Sequence, residues 1–373
     1  MGLFSKKSQS IVLIDAGSAS VGGAYLRVVE GQTPLLCYTA RVPVELRDEE
    51  SITEAMIRSL NELCALLIRE GAAALHREAG NAHIDLILAS VSAPWQDTTV
   101  RTVSLEEKRP FLFTRQLMEK AVRTTAPTPT RMISDTSVIS TTLNGYETEH
   151  PWGKRALRAD LTVLTSTIDK FAAKEITKTI RKAFHSHHLE LTAFAPVAYA
   201  VVSDMYPLQK DFVVLDVSGT ATDAIIVKKG VIAGVSSLHQ GVHDLLEAGR
   251  GAARNMPGGG AIDSTRNAAF APRVVEAETV WLAGLKKILA DFASEHPLPR
   301  AVFLLADEHA RDFLKRLIDE STIRTLWLSE EPLSVIPLSP EHTATLVRAR
   351  GMADGDVFLS MLALFYSERL AKL

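Results

Sequence analysis

Two short segments of this chain hold the residues best suited to gripping a phosphate. The first is Asp15-Ala16-Gly17-Ser18-Ala19-Ser20, directly after the apolar run Ile11-Val12-Leu13-Ile14. The second is Asp216-Val217-Ser218-Gly219-Thr220-Ala221-Thr222-Asp223, directly after Phe212-Val213-Val214-Leu215. Small residues let a backbone come close to a phosphate, and the N–H groups of such a turn can point at it. An acidic residue at the end of the preceding strand can orient Mg²⁺ through water, because Mg²⁺ takes few carboxylates and keeps several waters. Asp15 and Asp216 hold those positions. Either turn alone reads more simply as an ordinary hairpin. The pair points to a nucleotide clamped between two duplicated halves.

The elements around the turns repeat the same logic. Each turn is followed by a second apolar strand, 21–29 in one case and 224–227 in the other. With the segment 35–42, the first unit reads as an antiparallel meander. Ile57, Leu60, Leu63, Cys64 and Leu67 share one helix face, and 84–91 is a further buried strand. The texture changes at Ser92-Ala93-Pro94-Trp95. From there 98–105, 133–143 and 157–164 read as strands, while Arg109-Pro110 and Thr114 introduce a helix through Val122. Three strands and one helix make a small α+β insert at about 93–160. Helices are expected at 168–184, 196–205, 241–253, 274–293 and 310–318, and from Asp356 to the end. Strands are expected at 301–305, 326–328 and 334–338, and a loop at 255–260.

Composition sets the class. A chain of 373 residues is too long for one simple core, so two lobes are expected. Apolar residues make up 46% and charged residues 23%, as in ordinary soluble proteins, and a net charge of -3 gives no reason to expect nucleic acid. Cys37 and Cys64 lie in apolar surroundings and read as buried thiols. No apolar stretch approaches the length of a membrane span. The opening Met1-Gly2-Leu3-Phe4-Ser5-Lys6-Lys7 lacks the apolar core of a signal peptide. A cytoplasmic location is expected.

With the two turns and the insert in this order, the chain resembles the actin-like ATPase superfamily, in particular the bacterial branch of FtsA and PilM. The turns look like that superfamily's two phosphate motifs. The passage Leu143-Asn144-Gly145-Tyr146, then Pro151-Trp152-Gly153, then Leu161-Thr162-Val163-Leu164-Thr165 resembles the FtsA insert, and the start resembles PilM. The resemblance implies an α/β fold of two actin-like lobes, each a duplicated ribonuclease-H-like unit with a five-stranded mixed sheet. It divides the chain into a first lobe at 1–92 and 161–211, the insert at 93–160, and a second lobe at 212–355. A reduced insertion falls at about 243–296, and a terminal helix at 356–373 returns to the first lobe. It also implies an ATP site lined by Asp15, Gly17, Ser18, Ser20, Asp216, Ser218, Gly219, Thr220, Thr222, Asp223, Gly241 and Ala306, with Mg²⁺ held through water by Asp15 and Asp216.

Several residues depart from that pattern. Ser218 and Thr220 stand where the second turn usually has glycines, and Ala221 stands for a Thr. Ala306-Asp307-Glu308 replaces the Gly-Gly beside the adenine, and Ser20 replaces a phosphate-contacting Lys. No general base stands out. The resemblance therefore implies a scaffold with at most slow ATP use, peripheral to the inner membrane through its partners. The partner would be the cytoplasmic tail of a membrane pilus protein, or of a tubulin-like division protein, and self-polymerisation is open in either case. With no linker and extra helix after the terminal one, the pilus role is favoured. An active ATPase or small-molecule kinase is the alternative. His185, His187 and His188 read as a solvated helix end, not a metal site.

Overall fold

The structure is a computed structural model that describes residues 8–81, 83–122, 128–185, 188–245, 271–295, 297–327, 333–350 and 355–371. The chain opens with the expected meander: β1 (Ser8–Ala16), β2 (Ser20–Val29) and β3 (Leu35–Pro43). Helix α1 (Ile52–Leu66) starts at Ser51, which forms a capping box with Glu54. After one π turn comes α2 (Ala72–Ala79), closed by Gly80 in the left-handed conformation. Strand β4 (Leu86–Val91) then runs parallel to β1.

The insert is built on β5 (Gln96–Leu112), α3 (Arg115–Val122), β6 (Arg131–Leu143), β7 (Tyr146–Glu147) and β8 (Arg155–Asp169). Its sheet has the order β5-β8-β6-β7, so it has a fourth, two-residue strand beyond the three expected. Arg109-Pro110 does not start the helix. It lies inside β5, where the pairing with β8 shifts between Glu106 and Phe111. Proline has no N–H to give a ladder, and an irregularity on an edge strand is where that loss is tolerated. Residue 160, expected as the end of the insert, lies inside the unbroken strand β8.

Helix α4 (Lys170–Phe184), strand β9 (Leu189–Ala193) and helix α5 (Phe194–Met205) complete the first lobe's sequence. The second lobe repeats the opening with β10 (Phe212–Val217), β11 (Thr222–Lys228) and β12 (Val231–Leu238). Helix α6 (Ala271–Glu295), strand β13 (Ala301–Ala306), helix α7 (Glu308–Glu320), strand β14 (Ser334–Pro337), the short helix α8 (Pro340–Thr343), strand β15 (Arg348–Ala349) and helix α9 (Val357–Ala371) follow. Thr322–Leu326 is a 3-10 helix, so the strand expected at Leu326 does not form there. Residues 246–270, including most of the expected helix 241–253 and the loop 255–260, lie outside the described residues.

The second sheet has five strands, β12-β11-β10-β13-β14, as expected. The first has six, β15-β3-β2-β1-β4-β9, because Arg348–Ala349 adds a parallel strand beside Leu35 and Leu36. Both central strands are buried on two faces, which is why they read as continuous apolar runs. Ile11 and Leu13 of β1, with Phe212 and Val214 of β10, pack into a core shared with α5 and α9. Val12 and Ile14 face α1 and α4, while Val213 and Leu215 face α6 and α7. The two sheets thus meet through two helices. Phe303 in that shared core lies 4.6 Å from the ring of Tyr206 and 5.5 Å from that of Phe212. Phe303→Ala is expected to cost about 3–5 kcal/mol, since a buried aromatic leaves a cavity its neighbours fill only in part. Urea unfolding of wild type and variant measures this.

Candidate functional site

The duplication is visible residue by residue at the two turns. In the first hairpin Asp15 pairs with Gly22 and Ala16 with Val21. In the second, Asp216 pairs with Asp223 and Val217 with Thr222. Each acidic residue ends the central strand of its sheet, and each has a parallel neighbour on the far side: Ser90 for Asp15 and Leu305 for Asp216. The two turns face each other and touch. Ser18 Oγ and Ser218 Oγ lie 3.1 Å apart, and both reach the Ala93 carbonyl, at 3.3 and 3.1 Å. The Thr220 N–H donates to Ser18 Oγ at 3.1 Å. A Cβ on Gly219 would fall 2.5 Å from the Ser18 carbonyl oxygen, so glycine is required by the opposite turn.

Three of the turn N–H groups, those of Gly17, Ser218 and Thr220, are already engaged. Gly17 N–H donates to the Ser20 carbonyl at 3.1 Å, and Ser218 N–H donates to the Ala221 carbonyl at 2.9 Å. Gly241 packs on the second turn, where a Cβ would lie 2.2 Å from the Ser218 carbonyl oxygen. Its own N–H donates to Asp244 Oδ2 at 2.8 Å. The hollow between the turns, lined by Asp15, Gly17, Ser20, Arg41, Asp216, Ser218 and Asp307 among others, measures about 20 Å³. That is room for one water. A larger hollow of about 710 Å³ opens beside it, with Ser20, Arg41, Ala306, Asp307, Arg311 and Asp356 in its wall.

Two of the expected site residues are engaged elsewhere. Thr222 Oγ1 donates to the Gln240 carbonyl at 2.9 Å and accepts from Trp281 Nε1 at 3.0 Å, both within the second lobe. Asp223 accepts from Ser237 Oγ at 2.5 Å and from Gln96 Nε2, which joins the second lobe to the base of the insert. Asp216 lines the small hollow, and among the described residues its carboxyl receives no hydrogen bond. Burial, reinforced by Asp223, Asp15 and Asp307, holds it well above the usual carboxylate range.

The residues that organise the cleft were not singled out from sequence. Arg41 Nη2 donates to Asp15 Oδ2 at 3.0 Å, and Arg41 Nη1 donates to Ser20 Oγ at 2.8 Å. Nε and Nη2 grip Asp356 as a fork, at 2.6 and 3.0 Å. Asp15 also accepts from Ser90 Oγ at 3.0 Å. Burial raises the Asp15 carboxyl above its ordinary value even though Arg41 pulls it down. Burial works against the charge on Arg41, but Asp356 and then Asp15 more than offset this and hold the guanidinium protonated. Ser20 Oγ in turn donates to Asp307 Oδ1 at 3.0 Å, reaching the second lobe. The sequence carried one hint, a lone charge within the otherwise uncharged strand segment 35–43.

The space between the turns does not fit Mg²⁺ and phosphate. Asp15 is paired with the Arg41 guanidinium, the Gly17, Ser218 and Thr220 N–H groups have partners, and the hollow has room for about one water. Among the described residues, no three His, Cys, Asp or Glu side chains are grouped to hold a metal ion.

Asp223 offers a test of the cleft's electrostatics. Its pKa is pushed up to about 6 from 3.8, by burial, with the Ser237 and Gln96 hydrogen bonds opposing. A carboxyl that binds its proton more tightly when folded stabilises the fold at low pH. That contribution is lost as pH rises from about 4 to about 6, and it totals about 3 kcal/mol. Asp223→Asn removes the titration. The stability of the variant relative to wild type is expected to rise across that window and level off above it, whatever constant offset the amide brings. Denaturant unfolding at a series of pH values reads this, and a flat difference contradicts it.

No protein-family model matches the chain, and no curated protein matches it. Among solved structures, PilM of a PilM–PilN type IV pilus biogenesis complex matches with a TM-score of 0.62 at 14% identity, over 95% of this chain and 97% of that one. A Bacteroides thetaiotaomicron protein described as having an actin-like ATPase fold and unknown function matches at a TM-score of 0.42 and 11% identity, over 97% of this chain and 98% of that one. The chain therefore has the two-lobed actin-like ATPase fold, and it shares that fold with PilM over nearly its whole length.

Proposed function

We propose that this chain is a cytoplasmic scaffold that holds the tail of an inner-membrane pilus protein on its insert, joining a membrane complex to machinery in the cytoplasm. The observation that carries the reading is a groove beside an open strand edge. It measures about 570 Å³ and is lined by Met118, Glu119 and Val122 of α3, by Thr136 and Val138, Ile139, Ser140 and Thr141 of β6, and by Thr148, Glu149, Pro151 and Trp152. Successive strand residues face opposite sides. A groove that touches four in a row therefore follows the edge of β6, not one of its faces.

On one side β6 pairs with β8. On the other, among the described residues, β7 pairs only with Thr142 and Leu143, and the Thr148 N–H adds one bond to the Thr141 carbonyl. The edge from 131 to 140 is left for an extended peptide, whose backbone can extend the sheet. Glu149 puts a carboxylate in the wall, with Arg115 over the Trp152 ring and Lys154 on Thr148 beside it. Cytoplasmic segments of inner-membrane proteins are enriched in Lys and Arg, and Glu149 is the carboxylate such a tail would meet.

The shared fold with PilM, solved as a PilM–PilN complex, favours a pilus tail over that of a tubulin-like division protein. Among the described residues no helix is long and apolar enough to cross a membrane, and the reading assigns the membrane link to the partner. The alternative, an active ATPase or small-molecule kinase, needs turn N–H groups for phosphate, and those of Gly17, Ser218 and Thr220 have partners already.

A labelled peptide of about ten residues, with alternating apolar residues and two or three Lys or Arg, is expected to bind with a Kd in the micromolar range by fluorescence anisotropy. Glu149→Lys is expected to weaken binding roughly tenfold, about 1.4 kcal/mol. Absent binding, or binding indifferent to the charge reversal, overturns the groove as the docking site.

A further inference from the structure

We infer that Arg41 stands where the metal and phosphates of a bound nucleotide would sit in this fold, and that this internal cation keeps the two lobes closed without ATP.

The route of the side chain is built into the sheet. Asp15, Gly22 and Arg41 lie in register across β1, β2 and β3. A Cβ on Gly22 would fall 2.5 Å from Arg41 Nη2. Glycine at that position lets the guanidinium lie across β2 and reach the carboxylate on β1. Any larger residue would push it off Asp15.

The guanidinium is then held on several sides. Four of its five N–H groups have partners, in Asp15, Ser20 and the fork with Asp356. The ring of Phe358 lies 5.0 Å from its central carbon. Asp356 also accepts from the Leu359 N–H at 3.0 Å, so the same carboxylate caps the first turn of α9. Through Ser20 the network continues to Asp307, at the start of α7 in the second lobe. One fixed charge thereby ties together the first turn, the terminal helix and the opposite lobe.

Arginine suits this role because its guanidinium stays charged at any physiological pH and its planar fork matches a carboxylate. A bound divalent cation on Asp15 would face that charge directly. The turns meet through Ser18, Ser218 and Thr220, and the space between them, with Arg41 in its wall, is about 20 Å³. The contact between the lobes is made here by the chain's own side chains.

Two measurements on the full chain decide it. Isothermal calorimetry with Mg-ATP at about 1 mM is expected to show no binding to wild type; a Kd below that concentration overturns the inference. Hydrogen exchange of the amides at 17–20 and 218–221 is expected to speed up roughly tenfold in Arg41→Gln, with the central strands of both sheets unchanged. Exchange at the turns equal to wild type overturns it. Should Arg41→Gln fail to fold, Ser20→Ala removes only the link from Arg41 to Asp307. It is read the same way: faster exchange at the turns supports the latch, and unchanged exchange sinks it.

Discussion

Asp15 is a carboxylate near the end of a strand buried from Ser10 onward, and the cleft is arranged around how its charge is met. A buried carboxylate without a partner costs several kcal/mol, and the strand cannot end there without a solution. This chain solves it internally, with Arg41 and the Ser90 hydroxyl. Once Asp15 is satisfied from within its own sheet, nothing has to enter the cleft to hold it. The turns can then approach until hydroxyls meet hydroxyls. Arg41, which meets Asp15, also holds Asp356 at the start of α9 and the Ser20 hydroxyl that reaches Asp307.

The two halves show how a single position changes the outcome. The hairpins have the same register, and the residue opposite the strand-end aspartate is Gly22 in one and Asp223 in the other. Glycine makes room for a cation from the next strand. Aspartate brings a second carboxyl, which turns away to Ser237 and Gln96. Among the described residues Asp216 has no ion pair, and its carboxyl is pushed toward the neutral form. The asymmetry is electrostatic, and it lies on a backbone that is nearly symmetric.

The insert follows another constraint. Its sheet needs an apolar face, which α3 and the cluster of Phe113, Leu143, Ala156, Leu161 and Val163 supply. Its strands are long, and β7 covers only the end of β6. The uncovered length of β6 beside a neighbouring helix is the feature on which the proposed docking of a tail rests.

Much of the architecture was legible in the residues. The buried runs at 11–14 and 212–215, the small-residue turns, the helix faces and the insert are all signalled by neighbours a few positions apart, and period and turn chemistry encode such features locally. The sixth strand of the first sheet escaped because Arg348–Ala349 has no pattern of its own and becomes a strand only by lying beside Leu35 and Leu36. Pro110 misled because its effect depends on whether the strand edge there is paired. The turns were read as a phosphate site because their residue types allow one. What they do was decided by partners far away in sequence: Arg41 opposite Gly22, Ser218 against Ser18, Asp307 on Ser20 and Asp356 on Arg41. The three side-chain bonds among them span from 200 to 315 residues and exist only because sheet register and lobe closure bring them together. By itself, then, the sequence determined two duplicated hairpins in an actin-like frame. Only the tertiary structure decided that the cleft between them is filled by the chain's own charge.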